Sequence, residues 1–326
     1  MIEGHEPNPE LRYVVTFSGG KDSVATWLYL TRDMSLPNVT CLFANTNHES
    51  EITYQYLEDL RQHHGLPLES IQPTLEDFRG ELVEPKIRER MAVAYGERWL
   101  DPEFDVWSQP LDMERLAVLK RRFPSTMARF CTIHLKVLPM ARWMKQNRDL
   151  ETILVTGVRA QESLARAGRE TWTRDEPTGC MMWLPIHKWT HEQVFECHRR
   201  HGVPPNPLYR AGMSRVGCWP CIMCRKSELA TMARRFPEAF DRLEAMEQKA
   251  ARATGKPAMS FFSNYKTPER FHSETCDRTC KSFPSATDVK LWALGDEPAK
   301  SGQAMLFEDD WTEDAYACTS QYGLCE

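Results

Sequence analysis

Six residues near the amino terminus have the types and spacing of a phosphate-binding turn. They lie between an apolar run (13–17) and a helix-like segment (24–30), and they are Ser18, Gly19, Gly20, Lys21, Asp22 and Ser23. A strand that turns at glycines straight into a helix directs backbone N–H groups, a helix amino terminus and one lysine at a single small volume, which is how proteins hold phosphates. These residues therefore predict an ATP site.

The spacing differs from that of a Walker A loop. Such a loop needs a glycine five residues before the glycine of its Gly-Lys pair, and Val15 stands at that position. What remains is a tighter turn suited to a pyrophosphate. The alternative is an ordinary Gly-Gly turn with a solvated Lys21.

Three closely spaced cysteines form a second group with chemical potential. Cys218, Cys221 and Cys224 make two overlapping Cys-x-x-Cys spacings, with Gly217 and Pro220 shaping a turn. Because this spacing lets neighbouring thiolates converge on one centre, it predicts a metal site. Zinc would take the three cysteines with Cys131 or a histidine, and an iron–sulfur cluster would use the same thiolates; the alternative to both is core packing.

Cys131 lies among basic residues that favour its thiolate, Arg129, His134 and Lys136, although a lone cysteine is more often buried in a core. The surrounding window, 115–148, carries nine Lys or Arg and no Asp or Glu. It predicts a positive surface for an anionic partner such as DNA or tRNA, with a solvated helix face as the alternative. The net charge of −5 argues against a generally basic nucleic-acid coat.

The elements that must position these residues follow a repeating strand, loop and helix pattern. A second apolar run (39–44) leads into Asn45, Thr46 and a helix-like segment (51–64), and a third (151–156) leads into Gly157, Arg159, Glu162 and Ser163. Parallel α/β sheets gather ligands at the carboxyl ends of their strands, so the three loops should meet. Arg159 stands where a bidentate phosphate contact would form. A last core strand is predicted within 181–186.

Composition limits the class of protein. The 326 residues can bury one large core or two modest ones, and 41% apolar with 27% charged residues is typical of a soluble globular chain. No apolar run approaches a membrane span, and the polar first residues lack a signal peptide's apolar core, which predicts a cytoplasmic protein without a membrane partner. A reducing compartment makes disulfides an unlikely use of eleven cysteines. Cys41, Cys180 and Cys197 are predicted core residues.

The run from Ser18 to Ser23 resembles the signature of the PP-loop ATP pyrophosphatases. This superfamily holds the phosphoadenylyl-sulfate (PAPS) reductases, tRNA thiolation enzymes and the DNA phosphorothioation enzyme of the Dnd system. Further matches follow in order over roughly residues 11–225: Asn45-Thr46 with His48-Glu49-Ser50, Arg129-x-Cys131-Thr132, and Gly157-x-Arg159-x-x-Glu162-Ser163. Asn47 replaces the family's usual glycine, which an asparagine can do at a left-handed position.

The resemblance implies a Rossmann-like fold of the adenine nucleotide alpha hydrolase type, with a mostly parallel sheet, helices on both faces and a cysteine-rich, mainly helical C-terminal part. It implies ATP with Mg²⁺ as ligand and cleavage between the α and β phosphates to adenylate a substrate. Lys21, Asp22 and Arg159 receive the catalytic roles. The nucleotide-binding residues would be Ser18, Gly19, Gly20, Lys21, Asp22, Ser23, Asn45, Thr46, Gly157, Arg159, Glu162 and Ser163.

The resemblance also favours iron over zinc. The Dnd enzyme and the adenylyl-sulfate (APS) reductases combine a cysteine at the Cys131 position with a later Cys-x-x-Cys to hold a [4Fe-4S] cluster, which implies Cys131, Cys218, Cys221 and Cys224 as ligands here. APS reductases carry a Cys-Cys pair at the first site, whereas Phe130 precedes Cys131. The implied activity is the transfer of sulfur to a nucleic acid. A cysteine desulfurase or another donor would supply the sulfur. The alternatives are an APS or PAPS reductase that forms sulfite with a cysteine thiol, and a non-catalytic nucleotide- or nucleic-acid-binding subunit.

Three regions are expected: a nucleotide-binding domain (1–212) with an insertion of helices and loops at about 77–112, a cysteine-rich cluster and helical region (213–290), and an acidic linker with a cysteine-containing tail (291–326). Four later cysteines could form a second zinc site: Cys276, Cys280, Cys318 and Cys325. PAPS reductases end in Glu-Cys-Gly-Leu/Ile-His, from which the ending Gly323-Leu324-Cys325-Glu326 departs. Cys325 could still serve as a redox thiol.

Overall fold

A computed structural model describes residues 7–148, 151–263 and 284–295. Its centre is a six-stranded sheet in the order β3-β2-β1-β4-β6-β5. Neighbouring strands are parallel except for β5, which runs antiparallel to β6 at the edge. The strands are β1 (Arg12–Phe17), β2 (Val39–Ala44), β3 (Leu68–Ile71), β4 (Thr152–Val155), β5 (Trp172–Arg174) and β6 (Met181–Trp183). The predicted mostly parallel α/β fold is confirmed.

Helices cover the sheet and extend beyond it. In chain order they are α1 (Lys21–Leu28), α2 (Glu51–His64), α3 (Glu84–Tyr95), α4 (Met113–Lys120), α5 (Phe130–Thr132), α6 (Leu138–Asn147), α7 (Leu164–Ala167), α8 (His191–Arg200), α9 (Pro207–Arg210), α10 (Lys226–Arg235), α11 (Glu238–Thr254) and α12 (Ala286–Gly295). Single π-helical turns extend α1 (Tyr29–Asp33) and join α5 to α6 (Ile133–Val137). Among the described helices, none is long and apolar enough to cross a membrane.

The two faces of the sheet bury different side chains because side chains alternate along a strand. Tyr13, Val15 and Phe17 of β1 pack into one core with residues of α1, α2 and α8. Val14 points into the opposite core, where α6 contributes Met140. The sheet is therefore a middle layer with helices on both faces, as predicted.

A separate helical core holds most of the remaining chain. It joins buried residues of α3 and α4 with those of α10, α11 and α12. The segment 77–112, predicted as helices and loops, supplies α3 and a 3₁₀ turn (Glu97–Leu100) to this core. It therefore packs with the cysteine-rich region.

The order of the strands places a crevice between β1 and β4. From β1 the chain proceeds to β2 and β3 on one side, whereas β4 lies on the other side. In open α/β sheets this switch point, at the carboxyl ends of the strands, is where ligands bind. The turn after β1 begins at Ser18 and the turn after β4 contains Gly157, so two of the predicted motifs lie at the switch point.

Candidate nucleotide site and cysteine centre

The turn after β1 is closed by its own hydroxyl groups. Ser23 Oγ donates to the Gly20 carbonyl at 2.9 Å and lies 3.3 Å from Ser18 Oγ. The Gly20 amide donates to Ser18 Oγ at 3.2 Å. Gly19 has φ +78°, and a Cβ there would lie 3.2 Å from Leu57 Cδ2, so a side chain would meet both backbone strain and crowding. Glycine at this position therefore lets the turn lie against α2.

Two residues of the segment after α8, Asn206 and Tyr209, also hold this turn. The Lys21 amide donates to Tyr209 Oη at 3.1 Å, and the Asn206 side chain donates to the Gly19 carbonyl at 3.4 Å. Asn206 also caps α9 by accepting from the Leu208 amide. An asparagine before proline is a helix-start signal and would have predicted the cap, but not the contact with Gly19.

Asp22 joins the two nucleotide motifs. Its Oδ1 accepts from Arg159 Nε at 2.5 Å, and its Oδ2 lies 3.3 Å from Lys21 Nζ. Asp22 and Arg159 are fully buried, and Lys21 is 4% exposed. The structure therefore brings together the three residues predicted to be catalytic.

The close approach of β4 to α1 depends on Gly157. A Cβ at this position would lie 2.9 Å from both the Asp22 carbonyl oxygen and Thr26 Oγ1. Ser163, at the end of the same turn, caps α7 by accepting from the Arg166 amide at 3.3 Å. Only a glycine lets the exit of β4 pass α1 and carry Arg159 to Asp22.

Further charged side chains lie buried beside this pair. Glu162 accepts from the Arg159 amide at 2.8 Å and forms an ion pair with buried Arg166. The buried cations Lys21, Arg159 and Arg166 are of the types that bind phosphate oxygens.

The loop after β2 folds around Asn45. Its Oδ1 accepts from the Asn47 amide at 3.0 Å and from Tyr54 Oη at 2.8 Å. Asn47 has φ +55°, the left-handed conformation predicted for it. Thr46 is fully buried and its hydroxyl donates to Glu49 Oε1 at 2.7 Å.

Three of the four predicted metal ligands line one cavity. Cys131, Cys218 and Cys221 line the same cavity, whose wall also contains Thr46. Arg129 and Lys136 line it too, as the electropositive setting predicted for Cys131 requires. The loop after β2 and three of the cysteines therefore line the same cavity.

Cys224 faces a neighbouring cavity. This second space is lined by Cys224 together with Cys218 and Cys221. Burial, with the nearby Glu228 carboxylate, raises the pKa of the Cys224 thiol to about 12. Without a metal the thiol keeps its proton, and metal binding would release it.

The cysteine loop is also bonded directly to the loop after β2. Glu49 and Cys218 form an antiparallel bridge, and the Trp219 amide donates to the His48 carbonyl at 2.6 Å. Burial and the Arg242 guanidinium lower the pKa of His48 to about 3, so its ring is neutral and Nε2 donates to the Pro220 carbonyl at 3.1 Å.

Three of the nine cations in the basic window form ion pairs, and the positive surface predicted for the window stays a prediction. Its cations meet acidic residues that come from outside the window: Arg115 pairs with Asp112, Lys120 with Glu81 and Arg142 with Asp77. Arg121 donates to the Thr254 carbonyl. Counting charge along the chain missed these pairs because their partners come from the preceding segment.

The cysteines predicted for the core are buried, as Cys41, Cys180 and Cys197 show. Within the described ranges, three or more ligand atoms lie within 4.8 Å of one another at Asp33, Cys197 and His201. Asp33 is paired there with Arg200 and His201, and the Cys197 thiol points at the Ala25 carbonyl. The predicted second zinc site, Cys276, Cys280, Cys318 and Cys325, lies outside the described residues.

The fold and the turn after β1 define an α/β protein whose predicted nucleotide motifs lie at the switch point of its sheet. A family model, the phosphoadenosine phosphosulfate reductase domain, matches residues 12–90 and 105–224. The chain therefore belongs to the PAPS reductase domain family, whose members are enzymes.

The chain is also similar to individual proteins. The chain is 35% identical over 342 residues, 96% of each chain, to an uncharacterized 37.8 kDa protein of the gpa 5′ region of Escherichia phage 186. It is 37% identical over 67 residues to the adenosine 5′-phosphosulfate reductase of Allochromatium vinosum, covering 21% of this chain and 26% of that one. The crystal structure of PAPS reductase from Candida auris aligns at 19% identity with a TM-score of 0.41, covering 66% of this chain and 83% of that one.

Proposed function

We propose that this chain is an ATP-dependent sulfurtransferase of the PP-loop type that adenylates a nucleic-acid substrate and works with a [4Fe-4S] cluster. The observation that carries the proposal is the position of Thr46. This residue belongs to the loop after β2, which is predicted to bind the nucleotide, and it lines the cavity of Cys131, Cys218 and Cys221. An activated substrate would therefore form beside the cysteine centre.

The residues around Asp22 suit the first half-reaction. A substrate oxygen attacks the α-phosphorus of ATP, the bond to the β-phosphate oxygen breaks, and pyrophosphate leaves. Lys21 and Arg159 would offset the charge that develops on the pyrophosphate, and Mg²⁺ bound with ATP would supply further positive charge. Asp22, bonded to both cations, would orient them.

The cysteines suit the proposed cluster by their chemistry. Four thiols lie on the walls of two adjoining cavities, and the Met223 amide donates to Cys221 Sγ at 3.4 Å. Thiolates bind zinc and iron alike, and the choice of iron rests on the resemblance to members of the superfamily that hold a cluster. A cluster at this position would supply redox-active chemistry beside the nucleotide.

The acceptor would meet the cavity rather than the whole basic window. Arg129 and Lys136 line the cavity and place positive charge beside the cysteines. A sulfur nucleophile, delivered by a cysteine desulfurase or another donor, would displace AMP from the adenylated acceptor. Sulfur would then replace the activated oxygen.

The test is pyrophosphate release from ATP on addition of tRNA or DNA, with anaerobically purified protein. We expect release in the wild type, its loss in Lys21→Ala, and no change in Lys145→Ala, which alters an exposed lysine on α6. Iron and zinc are counted in the same samples. Bound ATP without pyrophosphate release under any acceptor would contradict the adenylation step, and stoichiometric zinc without iron would contradict the cluster.

A second candidate is an APS reductase, which the local likeness to adenosine 5′-phosphosulfate reductases favours. In that reaction a cysteine thiolate attacks the sulfur of APS, AMP leaves, and a second thiol releases sulfite. The tail residue Cys325, outside the described residues, would be the nucleophile. Sulfite formation from APS with a thiol reductant, lost in Cys325→Ser, would replace the first proposal.

A further inference from the structure

We propose that Tyr54 and Glu49 couple the loop after β2 (residues 45–50) to the cysteine loop (residues 217–224). ATP bound at the loop after β2 would then slow the reaction of Cys218 and Cys221 with alkylating reagents. The inference rests on the proposed function in taking ATP as the ligand at Asn45. Tyr54 and Glu49 are positioning residues that act through their neighbours.

One phenolic proton is shared between two acceptors. Tyr54 Oη lies 2.8 Å from Asn45 Oδ1 and 3.0 Å from Glu49 Oε2. A tyrosine hydroxyl has a single proton to donate, so the two bonds compete. Asn45 is partly exposed at the end of β2, whereas Glu49 is 3% exposed.

The Glu49 carboxylate depends on neutral donors. Its Oε1 accepts from Thr46 Oγ1 at 2.7 Å, and its Oε2 accepts from the His48 amide at 3.2 Å as well as from Tyr54. A buried carboxylate is costly when its hydrogen bonds are weakened. When the Tyr54 hydroxyl donates its hydrogen bond only to Glu49, the carboxylate is therefore held more firmly in place.

Glu49 passes this change to the cysteines through the backbone. The residue pairs with Cys218 in an antiparallel bridge, and the adjacent His48 holds Trp219 and Pro220. Its hydrogen-bond partner Thr46 lines the cavity of Cys218 and Cys221. A shift of Glu49 would therefore move Cys218 through the bridge and would move Thr46 in the cavity wall through their hydrogen bond.

A nucleotide that engages the Asn45 amide withdraws one of the two competing acceptors. The hydroxyl of Tyr54 then donates its hydrogen bond to Glu49 alone, which holds the bridge to Cys218 more firmly and makes the thiols less accessible. Because binding energies are linked, filling the cysteine centre must change the affinity for ATP in return.

The same helix supplies a matched control. Tyr56 on α2 is also buried, and its hydroxyl donates to the Pro204 carbonyl at 2.7 Å. Tyr56→Phe removes a hydroxyl of the same kind and leaves the network of Asn45 and Glu49 intact. Tyr54→Phe and Glu49→Gln each break that network.

The experiment measures alkylation of Cys218 and Cys221 by iodoacetamide in reduced, metal-free protein, with peptide mass spectrometry and with ATP at saturation. We expect ATP to slow alkylation about fivefold or more in the wild type and in Tyr56→Phe, in line with typical coupling between sites. In Tyr54→Phe and Glu49→Gln the rate should be the same with and without ATP, although isothermal titration shows that ATP binds.

Direct shielding by ATP would give a different result, since it would persist in Tyr54→Phe and overturn the coupling. An unchanged rate in wild-type protein that binds ATP would also overturn it. A wild type that does not bind ATP would contradict the proposed function and the coupling together. As a second readout, reconstitution with ferrous iron and sulfide should change the ATP dissociation constant in the wild type and not in Tyr54→Phe.

Discussion

The Nε atom of Arg159 lies 2.5 Å from Oδ1 of Asp22, although 137 positions separate the two residues in the chain. Asp22 follows β1 and Arg159 follows β4, so the pair spans the switch point of the sheet. Both side chains are fully buried. Each charge therefore depends on the other for its stability in the interior.

Replacement of Asp22 by asparagine should destabilise the protein. The change leaves the charges of Lys21 and Arg159 without their shared carboxylate, and breaking a buried pair costs about 3–5 kcal/mol. Urea unfolding measures the loss, and MgATP should restore part of it because its phosphates supply the missing negative charge. In the control Asp33→Asn a carboxylate that is 24% exposed loses its charge, and a change within about 1 kcal/mol is expected. Equal stability of Asp22→Asn and the wild type would show that the pair is not a buried charge pair.

Replacement of Gly157 by alanine tests the approach of β4 to α1. The new Cβ would lie 2.9 Å from the Asp22 carbonyl, a backbone atom that cannot turn away, so α1 and the exit of β4 must separate. Overpacking of this kind costs about 1–3 kcal/mol. ATP affinity should fall as Arg159 moves from Asp22, as measured by titration calorimetry.

The matched control is Gly168→Ala, because no atom lies within 4 Å of a Cβ at that position. Stability and ATP affinity should stay close to those of the wild type. Unchanged ATP affinity in Gly157→Ala would mean that this close approach does not position Arg159 for the nucleotide.

Local pattern and topology were sufficient to place the loops. The apolar run 39–44 and the helix-like segment 51–64 correspond to β2 and α2. The carboxyl-end rule for parallel sheets then located the turns at Ser18 and Gly157. β3 and β5 were not predicted because they are short, and much of their surface is exposed, so their sequences carry little apolar signal.

Contacts made by residues distant in sequence could not be predicted. Tyr209 reaches the Lys21 amide from 188 positions away, and which hydroxyl meets this amide is decided only when α9 packs beside α1. The ion pairs of Arg142 and Lys120 in the window 115–148 were not predicted for the same reason, since Asp77 and Glu81 reach them from another segment. Local composition does not record such pairs.

Cys221→Ala should remove the metal of the proposed centre. Cys221 lines both cysteine cavities, so its replacement removes a proposed ligand that faces each of them. Iron content and the broad visible absorbance of anaerobically purified protein should fall to background. Cys180→Ala removes a buried thiol elsewhere and should retain both signals. Full iron occupancy in Cys221→Ala would exclude this residue as a ligand.

Glu247 on α11 should make stability depend on pH. The residue is 4% exposed, and it accepts from the Phe261 amide at 2.7 Å and the Ala286 amide at 2.9 Å. Burial raises the pKa of its carboxyl group from 4.5 to about 8. The unfolded chain releases this proton at lower pH than the folded chain, so rising pH favours unfolding. Its stabilising contribution is complete below pH 4.5 and is lost at about 1.4 kcal/mol per pH unit until pH 8.

Glu247→Gln removes the titration and keeps the size of the side chain. The free energy of unfolding of both proteins is measured by urea denaturation from pH 5 to pH 9. The value for the wild type should fall relative to that for the variant as pH rises, and the difference should level off near pH 8. Other titrating groups cancel in this difference because both proteins contain them. A difference that stays constant over this range would show that Glu247 is already ionised at pH 5, with the amides of Phe261 and Ala286 sufficient to hold its charge.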